Sequence, residues 1–399
     1  MTSDRVHRRR VFYIPGYDPV HARRYRELYR KEGAAQAAIC GYEIALSPGK
    51  IKGRYGWHVE ARIEDADVQA DFEVLVWSDI VRGSMAQGVL ATYWQLLQTA
   101  WVYIASGALF PLISLRKGPL VAALYPVGFL LVQLLLALLA SFGVGVLLGL
   151  IHPWLAWGGL IAVPVVLDWF RRNDNRFLVY YLMHDYAYSA RYRGANPPEL
   201  EARMAEFGEL IAQTLSEDVD EVLVVGHSSG VHLAVSILSD LIRAGRVPGD
   251  GPALAFLSLG QVVPMVSFLP KADRLRGDLQ YLSTRNELVW VDVSAPGDGC
   301  AFALCDPVSV TGVAPQGKRW PLVLSAAFTH TICPKRWQLL KRQFFRLHFQ
   351  YMCAFDYPGD YDYFRITAGP QTLAARYRGR APSPSRIERP ASKYTGIGT

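Results

Sequence analysis

Glu221-Val222-Leu223-Val224-Val225-Gly226-His227-Ser228-Ser229-Gly230, running on into Val231-His232-Leu233-Ala234, is the stretch on which the reading of this chain turns. Its β-branched run predicts a buried strand, and the residues after Gly230 predict a helix. Gly-x-Ser-x-Gly stands between them. A strand that ends in this pentapeptide and reverses into a helix must turn sharply, with Ser228 held at the tip and its hydroxyl exposed. Gly226 and Gly230 are expected to be required there, because side chains would collide across so tight a turn.

Other strands are predicted on both sides. Arg10-Val11-Phe12-Tyr13-Ile14 is the first, closed by Pro15-Gly16-Tyr17-Asp18-Pro19 and followed by a helix from about Val20 to Gly41. Glu73 to Trp77 is a second, while the polar and alternating stretch from Glu43 to Asp71 fits no single element. Arg176 to Met183 is open between strand and helix. Glu199 to Ser216 is an amphipathic helix, with Leu200, Met204, Phe207, Leu210, Ile211 and Leu215 on one face. Further strands are expected at Ala253 to Gly260, Leu288 to Ser294 and Leu322 to Ala327. Strand alternating with helix predicts an α/β fold with a doubly wound, mostly parallel sheet.

In that setting the segment around Ser228 resembles the nucleophile elbow of the α/β-hydrolase superfamily, in its lipase and esterase branch. The resemblance covers most of the chain outside an apolar middle, and the elbow is its most specific part. It implies a serine nucleophile, an acid and a histidine in that chain order. For the acid, Asp298 lies in the glycine-flanked turn Ala295-Pro296-Gly297-Asp298-Gly299 after a late strand. Asp292 lies within that strand, and Asp306, before Pro307, is the alternative. Two histidines follow. His348 begins His-Phe-Gln-Tyr-Met, similar to the histidine-plus-aromatic segment that closes the triad in several lipases, and His330 lies nearer the last strand. His227 and His232 are expected to be structural. Acyl transfer also needs donors for an oxyanion. Ser229, backed by a helix N-terminus, is one candidate, and Gly16 or Tyr17 the other. The family's His-Gly-Gly-Gly form is absent, so the second donor rests on position and the glycine.

The chain has 399 residues, 51% hydrophobic and only 19% charged. The apolar excess is concentrated: from Gly83 to Leu167 the only charges are Arg116 and Lys117. About 20 apolar residues cross a bilayer as a helix. One span is therefore expected near Leu120 to Ser141 and another from Val144 or Trp154 to Leu167, reversing between Gly149 and Trp157. If the strand at 10–14 and the strand leading into Ser228 share a sheet, the number of crossings is even. Val89 to Leu115 is then expected to be an interfacial helix, with Trp94 and Trp101 at headgroup level. Arg5, Arg8, Arg9, Arg10, Arg116, Lys117, Arg171, Arg172 and Arg176 put both flanks on the cytoplasmic side by the positive-inside rule, which implies an integral protein of the cytoplasmic (inner) membrane whose catalytic part faces the cytoplasm. No signal peptide is visible, and five cysteines without paired spacing suggest free thiols.

The organisation expected is 1–82 and 171–377 as two parts of one sheet domain, 83–170 as an interfacial helix plus membrane hairpin inserted between them, and 378–399 as a disordered tail. The net charge of +7 suits a surface held against anionic lipid. No nucleic-acid module, P-loop, Rossmann context or metal-ligand spacing occurs, so no cofactor or metal is expected. The expected partners are a lipid bilayer and a small-molecule or lipid ester, with the oligomeric state open. These features together predict a membrane-anchored serine esterase. The rival expectations are acyl transfer on the same triad, a non-catalytic membrane scaffold that keeps the fold, and a soluble enzyme with an apolar lid.

Overall fold

In the computed structural model, which describes residues 4–49, 54–85 and 88–398, the run at Glu221–His227 lies in the middle of an eight-stranded sheet. The strands are β1 (Arg8–Ile14), β2 (Glu43–Pro48), β3 (Gly56–Ile63), β4 (Ala66–Val74), β5 (Glu221–His227), β6 (Ala253–Leu259), β7 (Leu288–Ser294) and β8 (Leu322–Ser325), in the spatial order β2-β3-β4-β1-β5-β6-β7-β8. From β4 to β8 all neighbours are parallel, and β2, β3 and β4 form an antiparallel meander at one edge. Every residue of β5 is buried, as a strand covered on both faces must be. Successive residues feed opposite layers: Val11 and Tyr13 join one hydrophobic cluster, and Phe12 and Ile14 the other.

The meander occupies the stretch that fitted no single element. In β4, Val68, Ala70 and Phe72 are buried while Asp67 and Gln69 are exposed, an edge-region alternation that short polar residues obscure. The strand expected at Glu73–Trp77 overlaps only the end of β4.

Between β1 and β2 runs α1 (Arg23–Cys40), and after β4 come α2 (Ser78–Met85), α3 (Val89–Ala105), α4 (Leu109–Leu115) and α5 (Lys117–Gly149). A 3₁₀ segment, Pro153–Ile161, continues into α6 (Ala162–Arg172), followed by α7 (Asp174–Phe177), α8 (Val179–Arg191) and α9 (Pro198–Thr214). The ambiguous stretch at Arg176–Met183 is thus helical. Beyond β5 lies α10 (Gly230–Arg243).

Helix α5 and the Pro153–Arg172 arm are each long and apolar enough to cross a membrane, and their outer faces expose Leu131, Leu135, Leu139, Phe142, Trp157 and Ile161. The reversal between Gly149 and Pro153 falls where the breaker residues predicted it. Small residues let the two arms approach: a Cβ on Gly159 would lie 2.4 Å from the Ser141 carbonyl, and one on Gly145 would lie 2.9 Å from that of Ala156. Helices α3 and α4 are bent by 78° at their junction, so the segment expected to be one interfacial helix is a broken pair. β1 pairs directly with β5, so the chain leaves the sheet for the apolar arms and returns to it.

Two expectations are corrected here. Arg9 and Arg10, expected to add to the positive charge on the cytoplasmic side, are both buried in the sheet. Arg9 Nε lies 2.6 Å from Glu221 and its other nitrogens donate to the carbonyls of Gly369 and Gln371, while Arg10 pairs with Glu73. Residues 378–398, expected to be disordered, lie along the body. Ser383 N–H donates to Val323, Ile387 N–H to Leu304, Ala391 N–H to Val310 and Gly398 N–H to Asp273. Main-chain hydrogen bonds of this kind are independent of side-chain type, so composition does not reveal them.

Candidate active site

At the end of β5 the backbone of Ser228 turns into the left-handed region, φ 56°. A non-glycine residue there is strained, and such strain clusters at functional sites. A side chain is excluded at Gly230 and would be tight at Gly226. A Cβ on Gly230 would sit 2.2 Å from the Ile14 carbonyl oxygen, and one on Gly226 would sit 3.0 Å from Val231 Cα. Ser228 N–H donates to the Leu259 carbonyl at 2.9 Å, tying the turn to β6. The hydroxyl opens into a cavity of about 90 Å³ whose walls include Gly16, Tyr17, Ser229, Asp185, Cys300 and His348.

The loop after β1 lies against the turn. A Cβ on Gly16 would meet Ser228 Cβ at 3.0 Å, so glycine is needed for close approach. The loop is held from several sides: Trp77 Nε1 donates to the Pro15 carbonyl at 2.9 Å, Tyr181 hydroxyl to the Tyr17 carbonyl at 2.5 Å, and Tyr25 hydroxyl to Asp18 at 2.7 Å. Tyr17 N–H donates to the Ser229 hydroxyl oxygen at 2.7 Å. Tyr17 can therefore serve an oxyanion only if that hydroxyl turns away, whereas no such partner engages the amides of Gly16 and Ser229 among the described residues.

His348 ends the short helix Phe344–His348, and its Nδ1 lies 2.8 Å from Asp298 Oδ2. A carboxylate on Nδ1 fixes the tautomer with the proton there, leaving the Nε2 lone pair free to accept one. Tyr351 hydroxyl donates to the same oxygen at 2.9 Å, and Cys300 N–H donates to Oδ1 at 2.9 Å. Burial would raise the Asp298 pKa, but His348 and these donors outweigh it and hold the carboxyl below its ordinary range. The Gly-Asp-Gly turn is needed for packing, since Cβ atoms on Gly297 and Gly299 would strike Trp337 at 2.6 Å and Phe344 at 2.8 Å. Asp298 and His348 are thus brought together beside Ser228. Among the described residues, however, the serine hydroxyl and the imidazole share no hydrogen bond.

The alternatives lie elsewhere. His330 is exposed and does not line the cavity. Asp306 caps the helix Pro307–Thr311 through the N–H groups of Val308 and Ser309 and pairs with Lys318. Asp292 is buried in β7, accepts from the Ser258 hydroxyl, and is pushed up to about 7 by burial.

Four further residues complete the surroundings, among them His227, which was expected to be structural. His227 Nε2 donates to the His348 carbonyl at 2.9 Å, and the two rings lie 4.7 Å apart. Burial and the neighbouring His348 lower the His227 pKa to about 3, so it is a neutral strut. Tyr351 also anchors the strand end by accepting from Ala295 N–H. Gly260, at φ 53°, leaves room for the pair, since a Cβ there would lie 2.7 Å from the Tyr351 ring and 3.2 Å from His348. Asp185 of α8 faces the cavity, and burial raises its carboxyl to about 7 against the opposing effect of His348. A His-Phe-Gln-Tyr spacing that puts both the imidazole and a phenol on one carboxylate is the only sequence signal among these.

One atom each from Asp298, Cys300 and His348 also lies within 4.8 Å of the others, close enough for a metal ion. The donor chemistry fits a hydrogen-bonded relay better. Burial, with Asp298 and Asp185 adding to it, pushes the Cys300 thiol far above its ordinary range, and both Asp298 oxygens already accept hydrogen bonds.

Comparison with protein-family models, with curated proteins and with solved structures finds no match for this chain.

Proposed function

We propose that this chain is a membrane-anchored serine hydrolase of the α/β-hydrolase type, acting on carboxylic esters. The observation that carries the reading is a strained Ser228 on a strand-to-helix turn, opening on the same cavity as an imidazole whose Nδ1 is held by Asp298. In this reading Ser228 Oγ attacks the ester carbonyl carbon and its proton passes to His348 Nε2. The oxyanion is met by amides from Ser229 and from Gly16 or Tyr17. Collapse breaks the ester C–O bond, and His348 returns the proton to the departing alcohol. Water, deprotonated by the same imidazole, then releases the acid and restores Ser228. Asp298 keeps its hydrogen bond to Nδ1–H throughout and stabilises the imidazolium.

The apolar arms support an integral membrane location, and Arg116, Lys117, Arg171, Arg172 and Arg176 at their base support a cytoplasmic orientation. Acyl transfer to an alcohol would use the same residues and differ only in what enters second. The scaffold reading is favoured by one observation, the missing hydrogen bond between Ser228 and His348, although catalytic hydrogen bonds are often long before substrate binds. The test is hydrolysis of p-nitrophenyl esters by the full chain purified in detergent. Wild type should turn over and Ser228→Ala should fall to background; turnover equal in both would refute the proposal. Added alcohol that yields a new ester would indicate transfer.

A further inference from the structure

A second cavity, of about 220 Å³, adjoins the first and is walled by α3, α4, the base of α5 and α8. Its lining is almost wholly apolar, including Leu96, Ile104, Leu112, Leu124, Val127 and Phe302. Tyr103, Tyr186 and Met265 line both cavities, so the two spaces share a wall. Helix α8 faces both, with Asp185 toward Ser228 and Met183 toward the apolar arm. Helix α5 does the same: Pro119 and Ala122 line the polar cavity, and Leu120, Ala123, Leu124 and Val127 line the arm. The base of α5 is moored to the acid loop, since Arg116 Nε donates to the Ala303 carbonyl at 2.7 Å and a Cβ on Gly118 would lie 3.1 Å from Gly299.

The length of α5 relates this arm to a bilayer. The helix has 33 residues, about 50 Å at 1.5 Å each, against a hydrocarbon core of about 30 Å. Exposed apolar side chains begin at Val121 and Leu124 and are most frequent from Leu131 onward, and Leu130 to Gly149 spans about 30 Å. The groove at Leu120–Val127 therefore lies just below the part of α5 fit to sit in lipid. One face of the insertion is suited to a bilayer, and its base adjoins the cavity that Ser228 lines.

We infer that this apolar arm holds the acyl chain of a lipid ester that reaches Ser228 from the bilayer, the chain sliding along α5 while the ester enters the polar cavity. The inference rests on the hydrolase reading and adds the substrate class and its route. Water-sized spaces take about 10–15 Å³ each in such a cavity, so 220 Å³ holds roughly fifteen or more, enough for a chain of ten or so methylenes.

The experiment compares the rates at which ethyl and dodecyl fluorophosphonates label Ser228 in the full chain, in nanodiscs. Each buried methylene favours binding by about threefold to fourfold, so the dodecyl probe should react at least about tenfold faster. Ala123→Trp or Ala100→Trp, at two positions that line the arm, should lower the dodecyl rate to that of the ethyl probe. In wild type, a dodecyl probe ending in a diazirine should crosslink to α3, α5 or α8, a readout that needs no variant. Equal rates for both probes, or crosslinks confined to other elements, would overturn the acyl arm while the hydrolase reading stood. Failure of both probes to label Ser228 would overturn the hydrolase reading and this inference with it.

Discussion

Replacing Ser228 by glycine should stabilise the fold relative to replacing it by alanine, the reverse of what glycine does at an ordinary position. Ser228 sits at φ 56°, where a residue with a Cβ pays about 1–2 kcal/mol and glycine pays nothing. Glycine loses more backbone entropy on folding, by about 0.5–1 kcal/mol. The difference leaves Ser228→Gly ahead of Ser228→Ala by roughly 0.5–1 kcal/mol. For a chain of 399 residues that is a melting-temperature difference of about 0.6–1.2 °C. Both variants lack the hydroxyl, so the comparison isolates the backbone. Thermal unfolding in detergent, followed by tryptophan fluorescence, reads it out. Should the glycine variant melt below the alanine variant, the turn is not strained and the elbow reasoning fails.

Asp298→Asn should keep the fold but lower the acylation rate of Ser228 by about 10³–10⁴, because the amide no longer fixes the His348 tautomer; stopped-flow labelling would measure it, and an unchanged rate would remove Asp298 from the machinery. His348→Ala should abolish ester turnover and His330→Ala should leave it intact, and the opposite pattern would exchange their roles. Asp185 carries a carboxyl raised to about 7, so the native state keeps a proton that the unfolded chain releases near pH 4. Stability should fall as pH rises between about 4 and 7 and level off above; melting curves of Asp185→Asn should show a shallower fall, with Asp292 supplying the remainder, and an unaltered slope would refute the assignment. Glu221→Gln breaks a fully buried ion pair with Arg9 and should cost about 3–5 kcal/mol, visible as a large drop in melting temperature; a change within 1 °C would contradict the packing described.

The parts of this molecule that could be read from the chain are those where side chains alone dictate the outcome. The β5 run, the two glycines of the turn and the uncharged stretch from Pro119 to Leu167 admit few structures, and each forms the element expected. The meander from Glu43 to Val74 was obscured because an edge strand such as β2 buries little and tolerates Glu43, Ser47 and Pro48. The seating of residues 378–398 was invisible for another reason, as main-chain bonds hold it. Within the site, Asp298 and His348 were each one of two open candidates. Fifty residues of chain separate them, and only the fold determines which aspartate meets which histidine. Asp185 carried no local signal at all, since its place on the cavity depends on how the apolar insertion folds back.

The central claim is tested most directly by treating the full chain, in detergent, with a fluorophosphonate and mapping the adduct by mass spectrometry. One phosphonylated peptide is expected, modified at Ser228, that disappears in Ser228→Ala and forms far more slowly in His348→Ala. An adduct at another serine, or none on a folded protein, would contradict it.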